Sequence, residues 1–459
     1  MGSTGENKGS GRPAAATGRK RAGKPSRVAG PGGGSAAVPV SGTGRAARGV
    51  HLEAEIVAVG AALAKRVQTL VLAVSPVGVG PVALSKALGG GVDKVLASRV
   101  LKALRQQDPI AALYFMPGPE PLRAVVKGAE RRGAGRAEVD GAAAAIDDYE
   151  RLIDVQVGDR SLLDSILSAW IPEARAEFEL RRKQAAFKAL SQIKGMQAEG
   201  LVATCLVAPS AGVDGEGLMD VVWVHGLTGL HRVRPGVTVK LASRRMSGAA
   251  GERHPTTLEG APISEESPPL VPEFCSEPTP EVHVQRVNDA LFYTLGGDGF
   301  GAGSAVDVVF VEINRAELKR PAAPTAEQLA AGVRARGSYF FAEASVPSKA
   351  LQFDLIVHEA LFRGRDPSLR IYDTAFDGVA DAFDQRRDLD RLDLLESIVP
   401  LGRGFSRVRA GAGGLAGYTE LLRRVIGGLG LDEGALRTYR CAVEYPLYGS
   451  QTAMVFAPA

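Results

Sequence analysis

Residues 81–104 read PVALSKALGGGVDKVLASRVLKAL, two short helical patterns joined by three consecutive glycines. In the second pattern Leu96, Ala97, Val100, Leu101 and Leu104 fall on one face at about 100° per residue. Lys94, Ser98, Lys102 and Arg105 fall opposite, with Arg99 on the flank. Asp93 is placed to cap this helix, because its carboxylate can accept from free amides of the first turn. In the first pattern Leu84, Ala87 and Leu88 form the buried side and leave Ser85 and Lys86 outside. Gly89, Gly90 and Gly91 let the backbone reverse without a Cβ penalty. Upstream, Leu52, Ile56, Val59, Leu63, Val67, Leu70 and Val74 are spaced by three or four, so one long helix can supply the third wall of a small core.

LSKALG followed by DKVLASRVLKAL resembles the helix-turn-helix of bacterial winged-helix transcription regulators of the IclR and MarR kind, clearly over residues 84–104 and weakly over 52–131. The resemblance implies that helix 93–105 lies in the major groove of double-stranded DNA. Lys94, Ser98 and Arg99 would then face bases, and Lys102 and Arg105 would meet phosphates. Lys86, exposed on the first helix, completes the candidate DNA-binding set. The wing is degenerate: one strand is expected at 110–116, after which PGPEP turns into a helix at 122–131.

Charge is divided in the way such binding requires. The whole chain carries +4. Residues 1–50 carry +8 and residues 51–136 carry +6, which leaves −10 for residues 137–459. A basic front and an acidic rear attract phosphates through one end. Residues 1–50 are rich in Gly, Ala, Pro, Ser and Arg and hold no aromatic residue, so they cannot offset chain entropy and are expected to be disordered. GRKRAGKPSR at 18–27 can serve as a phosphate-contacting arm. No apolar segment follows these basic residues, so the tail is not expected to be a secretory signal.

A Gly/Ala stretch at 133–145 reads as a linker. A helical connector, 146–195, carries the apolar stripe Leu162, Leu163, Ile166, Leu167 and Trp170, which could pair two subunits into a homodimer. From residue 200 the runs LVATCLVA, DVVWVHG, GVTVKLA, VDVVFVEI, SYFFAEA and ALQFDLIVH, and the alternation Tyr439, Cys441, Val443 and Tyr445, predict strands. Helices are expected at 389–398 and 418–429, and a mobile insertion at 247–280. The expected fold class is therefore α+β: an all-α helix-turn-helix domain at 51–132, the connector, and a mixed α+β domain at 200–459.

The chemistry-bearing candidates in this rear domain are few. Asp373, Asp377 and Asp381 would share one face of a helix and could hold a divalent cation, yet Arg386, Arg387 and Arg391 between the later aspartates point to an ion-paired surface. GGDGFGAG at 296–303 lacks the GK[ST] ending of a phosphate loop and reads as a hairpin loop. The six histidines show no metal-ligand spacing; His225 and His358 read as packed or capping side chains at strand ends. No cofactor motif is present and none is expected. Cys205, Cys275 and Cys441 are too sparse for a disulfide framework. With no apolar run of membrane-spanning length, a cytoplasmic location without a membrane partner is expected. These readings converge on a DNA-binding transcription regulator whose rear domain senses a small-molecule effector or protein partner. The alternatives are a DNA-associated scaffold or an enzyme with a carboxylate metal site in 373–393.

Overall fold

In a computed structural model, the described residues are 43–75, 79–211, 217–248, 251–252, 254–320, 327, 337–411 and 413–458. The chain is α+β, with helices in its first half and sheets in its second. Contacts divide it into residues 1–56 and 57–459. In the first unit the described part is the opening of α1 (Thr43–Val74). Residues 43–50 open this helix, and the remainder of the tail, with the arm at 18–27, lies outside the described residues.

In the second unit α1 continues with Leu63, Val67 and Leu70 buried. By length and composition the stretch His51–Val74 is apolar enough to cross a bilayer; its exposed Lys65 and Arg66 interrupt the apolar run in sequence. Next come α2 (Pro81–Leu88), α3 (Lys94–Leu104), α4 (Pro109–Phe115), α5 (Pro119–Arg131) and α6 (Arg136–Arg151). A π-helical turn (Leu152–Val157) follows, then α7 (Arg160–Trp170) and α8 (Pro172–Lys194).

Two expectations fail here. The expected wing strand is α4: Asp108 accepts from the amides of Ile110 and Ala111, both at 3.2 Å, and Pro109 occupies the first helical position, where its missing N–H costs nothing. An apolar run of seven residues does not by itself distinguish strand from helix; the cap does. The expected linker is α6 from Arg136 onward, because Ala142, Ala145 and Ile146 are buried and small side chains allow close packing.

Close approach also explains Gly128 of α5. A Cβ there would lie 2.9 Å from the Leu88 carbonyl oxygen and 3.1 Å from Leu88 Cβ. Gly128→Ala should therefore push α5 off the end of α2 and cost about 1–3 kcal/mol of stability, read as a lowered urea midpoint. An unchanged midpoint would show that α2 and α5 yield freely.

The β half is built on a six-stranded sheet in the order β12-β13-β10-β1-β2-β8. Its strands are β1 (Met196–Pro209), β2 (Leu218–Arg232), β8 (Val306–Lys319), β10 (Ser348–His358), β12 (Ile398–Arg403) and β13 (Leu436–Glu444). Neighbours are antiparallel except β1 and β10, which run parallel from Ala198↔Ser348 to Val207↔Val357. The central strand β1 is buried from Gly200 to Ala208, as a strand covered on both faces must be. On one face Val202, Leu206, Val222, Val309 and Ile356 pack beneath α9 (Tyr418–Leu429). On the other, Cys205, Val207, Leu355 and Phe353 meet two three-stranded sheets. One has the order β3-β7-β6 and the other β11-β14-β9. Their strands are β3 (Lys240–Arg245), β6 (Val282–Val287), β7 (Ala290–Leu295), β9 (Ser338–Glu343), β11 (Ser368–Asp373) and β14 (Ser450–Phe456). A two-residue pair, β4 (Ser247–Gly248) and β5 (Gly251–Glu252), completes the set.

Most strands expected from Val-, Phe- and Tyr-rich runs are present, and α9 has the expected limits; GVTVKLA is strand only from Lys240, and Tyr445 lies beyond β13 with φ of 50°. Three other expectations are corrected. The 247–280 segment is held along β8, with Thr256 and Ile313 exchanging two backbone bonds at 2.9 Å and Val271 donating to Val309 at 2.9 Å; it covers an edge strand that would otherwise expose unpaired backbone. GGDGFGAG connects β7 to β8, which belong to different sheets, so it closes no hairpin. Instead its carbonyls surround the buried Arg232, whose Nη2 donates to Leu295 O at 2.6 Å. Residues 389–398 form no α-helix: a 3₁₀ turn (Gln385–Asp390) gives way to extended chain and β12.

His225 stands mid-strand in β2, not at a strand end. Its ring stacks on Trp223 with centroids 5.6 Å apart and is open to solvent on one side, while Val221 and Leu227 along the strand and Phe310 and Ala203 across it are buried. The buried side chains around it, and after them the Arg244 charge, push the His225 pKa down to about 4. The unfolded chain takes up this proton near pH 6.5 and the folded chain only near pH 4. Stability is thus lost as pH falls through that window. His225→Gln should flatten the stability–pH slope between those values; an unaltered slope would place the acid sensitivity elsewhere.

Candidate nucleic-acid interface

The α2–α3 unit is assembled from its turn outward. Gly89, Gly90 and Gly91 have φ of 58°, 37° and 101°, a run of left-handed backbone that L side chains resist. Ser85 Oγ spans the turn by donating to Val92 O at 2.8 Å, and Arg131 of α5 reaches in to donate to Gly90 O at 3.1 Å. Asp93 Oδ1 then accepts from Leu96 N at 2.7 Å, so the expected cap is present. Ala97, Val100 and Ala103 form the fully buried edge of α3, with Leu96, Leu101 and Leu104 half-buried beside them.

The opposite face is open. Lys94, Ser98, Arg99 and Lys102 are exposed on α3, Arg105 is exposed at its C-terminal cap, and Lys86 is exposed on α2. These six residues, separated in sequence by the glycine turn, belong to one contiguous unit of the fold. Val95 joins them at 66 % exposure. It lies one position beyond Lys94 on the same outward face, a placement that the helical period contains and that a search for charge alone overlooks. An exposed apolar side chain among cations suits a thymine methyl group.

Among the described residues, none of Lys86, Lys94, Arg99, Lys102 and Arg105 pairs with a carboxylate. Lys102 Nζ instead sits 3.8 Å from the Phe115 ring centroid of α4. By contrast Arg123 on α5 bonds Glu120, Asp147 and Glu150 at 2.9, 3.0 and 2.6 Å, and Arg136 pairs with Asp140 at 3.1 Å. Arg160 of α7 adds a further cation near α3. Burial above all, and the Arg99 charge beside it, draw its pKa below the arginine range against the opposing pull of Asp164.

No family model matches this chain, and no curated protein matches it. Among solved structures, one match is a crystal structure of a "putative protease" from Parabacteroides distasonis ATCC 8503, at 6 % identity and a TM-score of 0.22. The match covers 57 % of this chain and 40 % of that one. A likeness of that degree carries no argument about fold or activity.

The carboxylate alternative lacks its geometry. Asp373 ends β11, and Asp377 and Asp381 lie in turns beyond it, so no helical face unites them. Asp373 and Asp381 accept from the amides two residues on, at 2.8 and 2.9 Å, while Asp384 pairs with Arg386 and Asp390 with Arg387. Among the described residues no group of three or more His, Cys, Asp or Glu side chains could hold a metal ion. His358 is a capping histidine, its Nδ1 accepting from Ala360 N at 3.1 Å.

Proposed function

We propose that this protein is a DNA-binding transcription regulator that reads the major groove with α3. The observation that carries the reading is the cation-rich face of α2 and α3, solvent-exposed and without carboxylate partners among the described residues. Lys94, Ser98 and Arg99, with Val95, meet base edges. Lys86, Lys102 and Arg105 meet phosphates and make affinity fall with salt. In this reading no wing assists α3, because α4 occupies that part of the chain and braces Lys102 through Phe115. The protein acts in the cytoplasm, where its three free cysteines suit a reducing compartment. It binds as a homodimer through the connector, where Leu162 and Trp170 of α7 are 49 % and 41 % exposed.

The test is selection of bound sequences from a random duplex pool, repeated across a salt series. An enriched motif, above all a palindrome with half-sites about 10 bp apart, supports a sequence-reading dimer. Binding without a motif sinks the assignment of α3. The rival reading, a DNA-associated scaffold, draws on Phe376 and Leu389, which are 93 % and 92 % exposed. It requires a protein partner whose affinity drops when both become serine.

A further inference from the structure

At one end of the six-stranded sheet β10 stops, β12 stops and β13 begins, and the three ends border an open cavity of about 410 Å³. Its lining is cationic. Arg363, Arg403 and Arg437 converge there with His358, against the single carboxylate of Glu359. Glu359 Oε2 lies 2.7 Å from Arg403 Nη1, and Asp366 reaches Arg437 only through the Tyr439 hydroxyl, so no carboxylate pairs directly with Arg437 or Arg363 among the described residues. Arg363 is exposed and has no partner among the described residues. The Arg437 guanidinium is held in place, with Nη1 donating to Tyr439 Oη at 3.0 Å and Nη2 to Leu361 O and Phe362 O at 3.3 Å. Its Nε is buried and has no hydrogen-bond partner. Because His358 Nδ1 accepts a backbone bond, its ring proton sits on Nε2, which is then a donor.

The turn that carries Arg363 is under backbone strain. Phe362 has φ of 48°, a left-handed conformation that a bulky side chain adopts at a cost. Its ring is buried and stacked on Phe456 with centroids 4.0 Å apart, which locks the turn.

We infer that this cavity binds a compact, phosphate-bearing small molecule. Donors that arrive from three strand ends suit a tetrahedral dianion better than a planar carboxylate, which one guanidinium matches in two bonds. Ala360 is the one apolar side chain among the described lining residues, so an acyl chain would find little to bury against. The site belongs to the β half and stands whether or not α3 reads DNA.

The probe is inorganic pyrophosphate, titrated calorimetrically into the full chain. Saturable binding is expected, weakened about tenfold or more in the Arg363→Gln/Arg403→Gln double variant, since each charged hydrogen bond supports affinity at that level. Both side chains are exposed, so the variant should keep the parent melting temperature. Glu359→Gln removes the opposing charge and should tighten binding a fewfold. Lys94→Ala/Arg99→Ala should bind pyrophosphate as the parent does. Equal affinity in the parent and the double arginine variant overturns the site, as does weaker binding in Glu359→Gln. Loss of pyrophosphate binding in Lys94→Ala/Arg99→Ala also overturns it and assigns the anion to the helical face.

Discussion

Lys94→Ala/Arg99→Ala should abolish preference among duplex sequences and leave weak, general, salt-sensitive binding. Each base-edge contact by a cation is worth about 1–3 kcal/mol, so the pair together should cost about a hundredfold or more in affinity for the selected site. Both side chains are exposed and neither caps nor packs α3; the double variant should therefore melt with the parent protein. Residual binding arises from Lys86, Lys102, Arg105 and the basic tail, and its slope against salt should fall as those charges are removed in turn. Competition of a selected duplex against random duplex, at two ionic strengths, reads the difference directly. Full retention of preference in the variant would show that α3 is a packing helix.

The second large effect is on stability, and it sits beneath α9. Asp354 is fully buried on β10, directly opposite Arg440 on β13. Arg440 grips it with two bonds, Nε to Oδ1 at 2.7 Å and Nη2 to Oδ2 at 2.6 Å. Gln352 Nε2 donates to Oδ2 at 3.0 Å, and its own Oε1 accepts from Gly411 N at 2.6 Å. Tyr418, the first residue of α9, donates its hydroxyl to Asp354 Oδ2 at 2.7 Å and meets Thr204 Oγ1 at 2.6 Å. Burial first, and the Asp354 charge second, push the Tyr418 pKa far up, so that hydroxyl keeps its proton and Thr204 must be the donor between them. One carboxylate thus ties the sheet centre to the helix above it and to the glycine-rich loop that precedes it.

Asp354→Ala should cost about 3–5 kcal/mol, because it strands the Arg440 guanidinium, the Gln352 amide and the Tyr418 hydroxyl without their shared acceptor. Urea unfolding of the full chain reads this as a lower midpoint. Replacing both partners, as Asp354→Leu/Arg440→Met, should recover much of the loss, since the cost lies in leaving one charge unpaired. A single variant within 1 kcal/mol of the parent would show that water reaches the cluster and that the network does not hold α9.

The helical connector meets the β half through side chains that are far apart in sequence. Lys183 of α8 is buried and bonded to both Glu179 and Glu396, and Arg175 pairs with Asp393 at 2.7 Å. Phe187 packs against Tyr445 with ring centroids 5.5 Å apart. Residues 393–396 therefore form a strap on α8. In sequence Asp393 reads only as the end of an acidic, ion-paired run, and Glu396 as part of a helix. A change at this strap has a direct physical route into the helices that carry α3.

Local chemistry determined a good deal by itself. The Asp93 cap, the three glycines with positive φ, the limits of α9 and the Val-rich strands follow from interactions within a few residues, where caps, steric limits and side-chain periodicity act whatever the surroundings. The open face of α3 was legible for the same reason, since a helix with one apolar side must present the other. Tertiary structure decided what depends on partners distant in the chain. It made residues 110–116 a helix by giving an apolar run a capped start and a packed face. It drew the Gly/Ala stretch into α6, where small side chains permit close approach, and laid 247–280 along the edge of β8. It also placed Asp354 opposite Arg440, and gathered His358, Arg363, Arg403 and Arg437 from three strand ends. No period or spacing records such pairings, because strand register across a sheet arises from packing of the whole domain and not from any one segment.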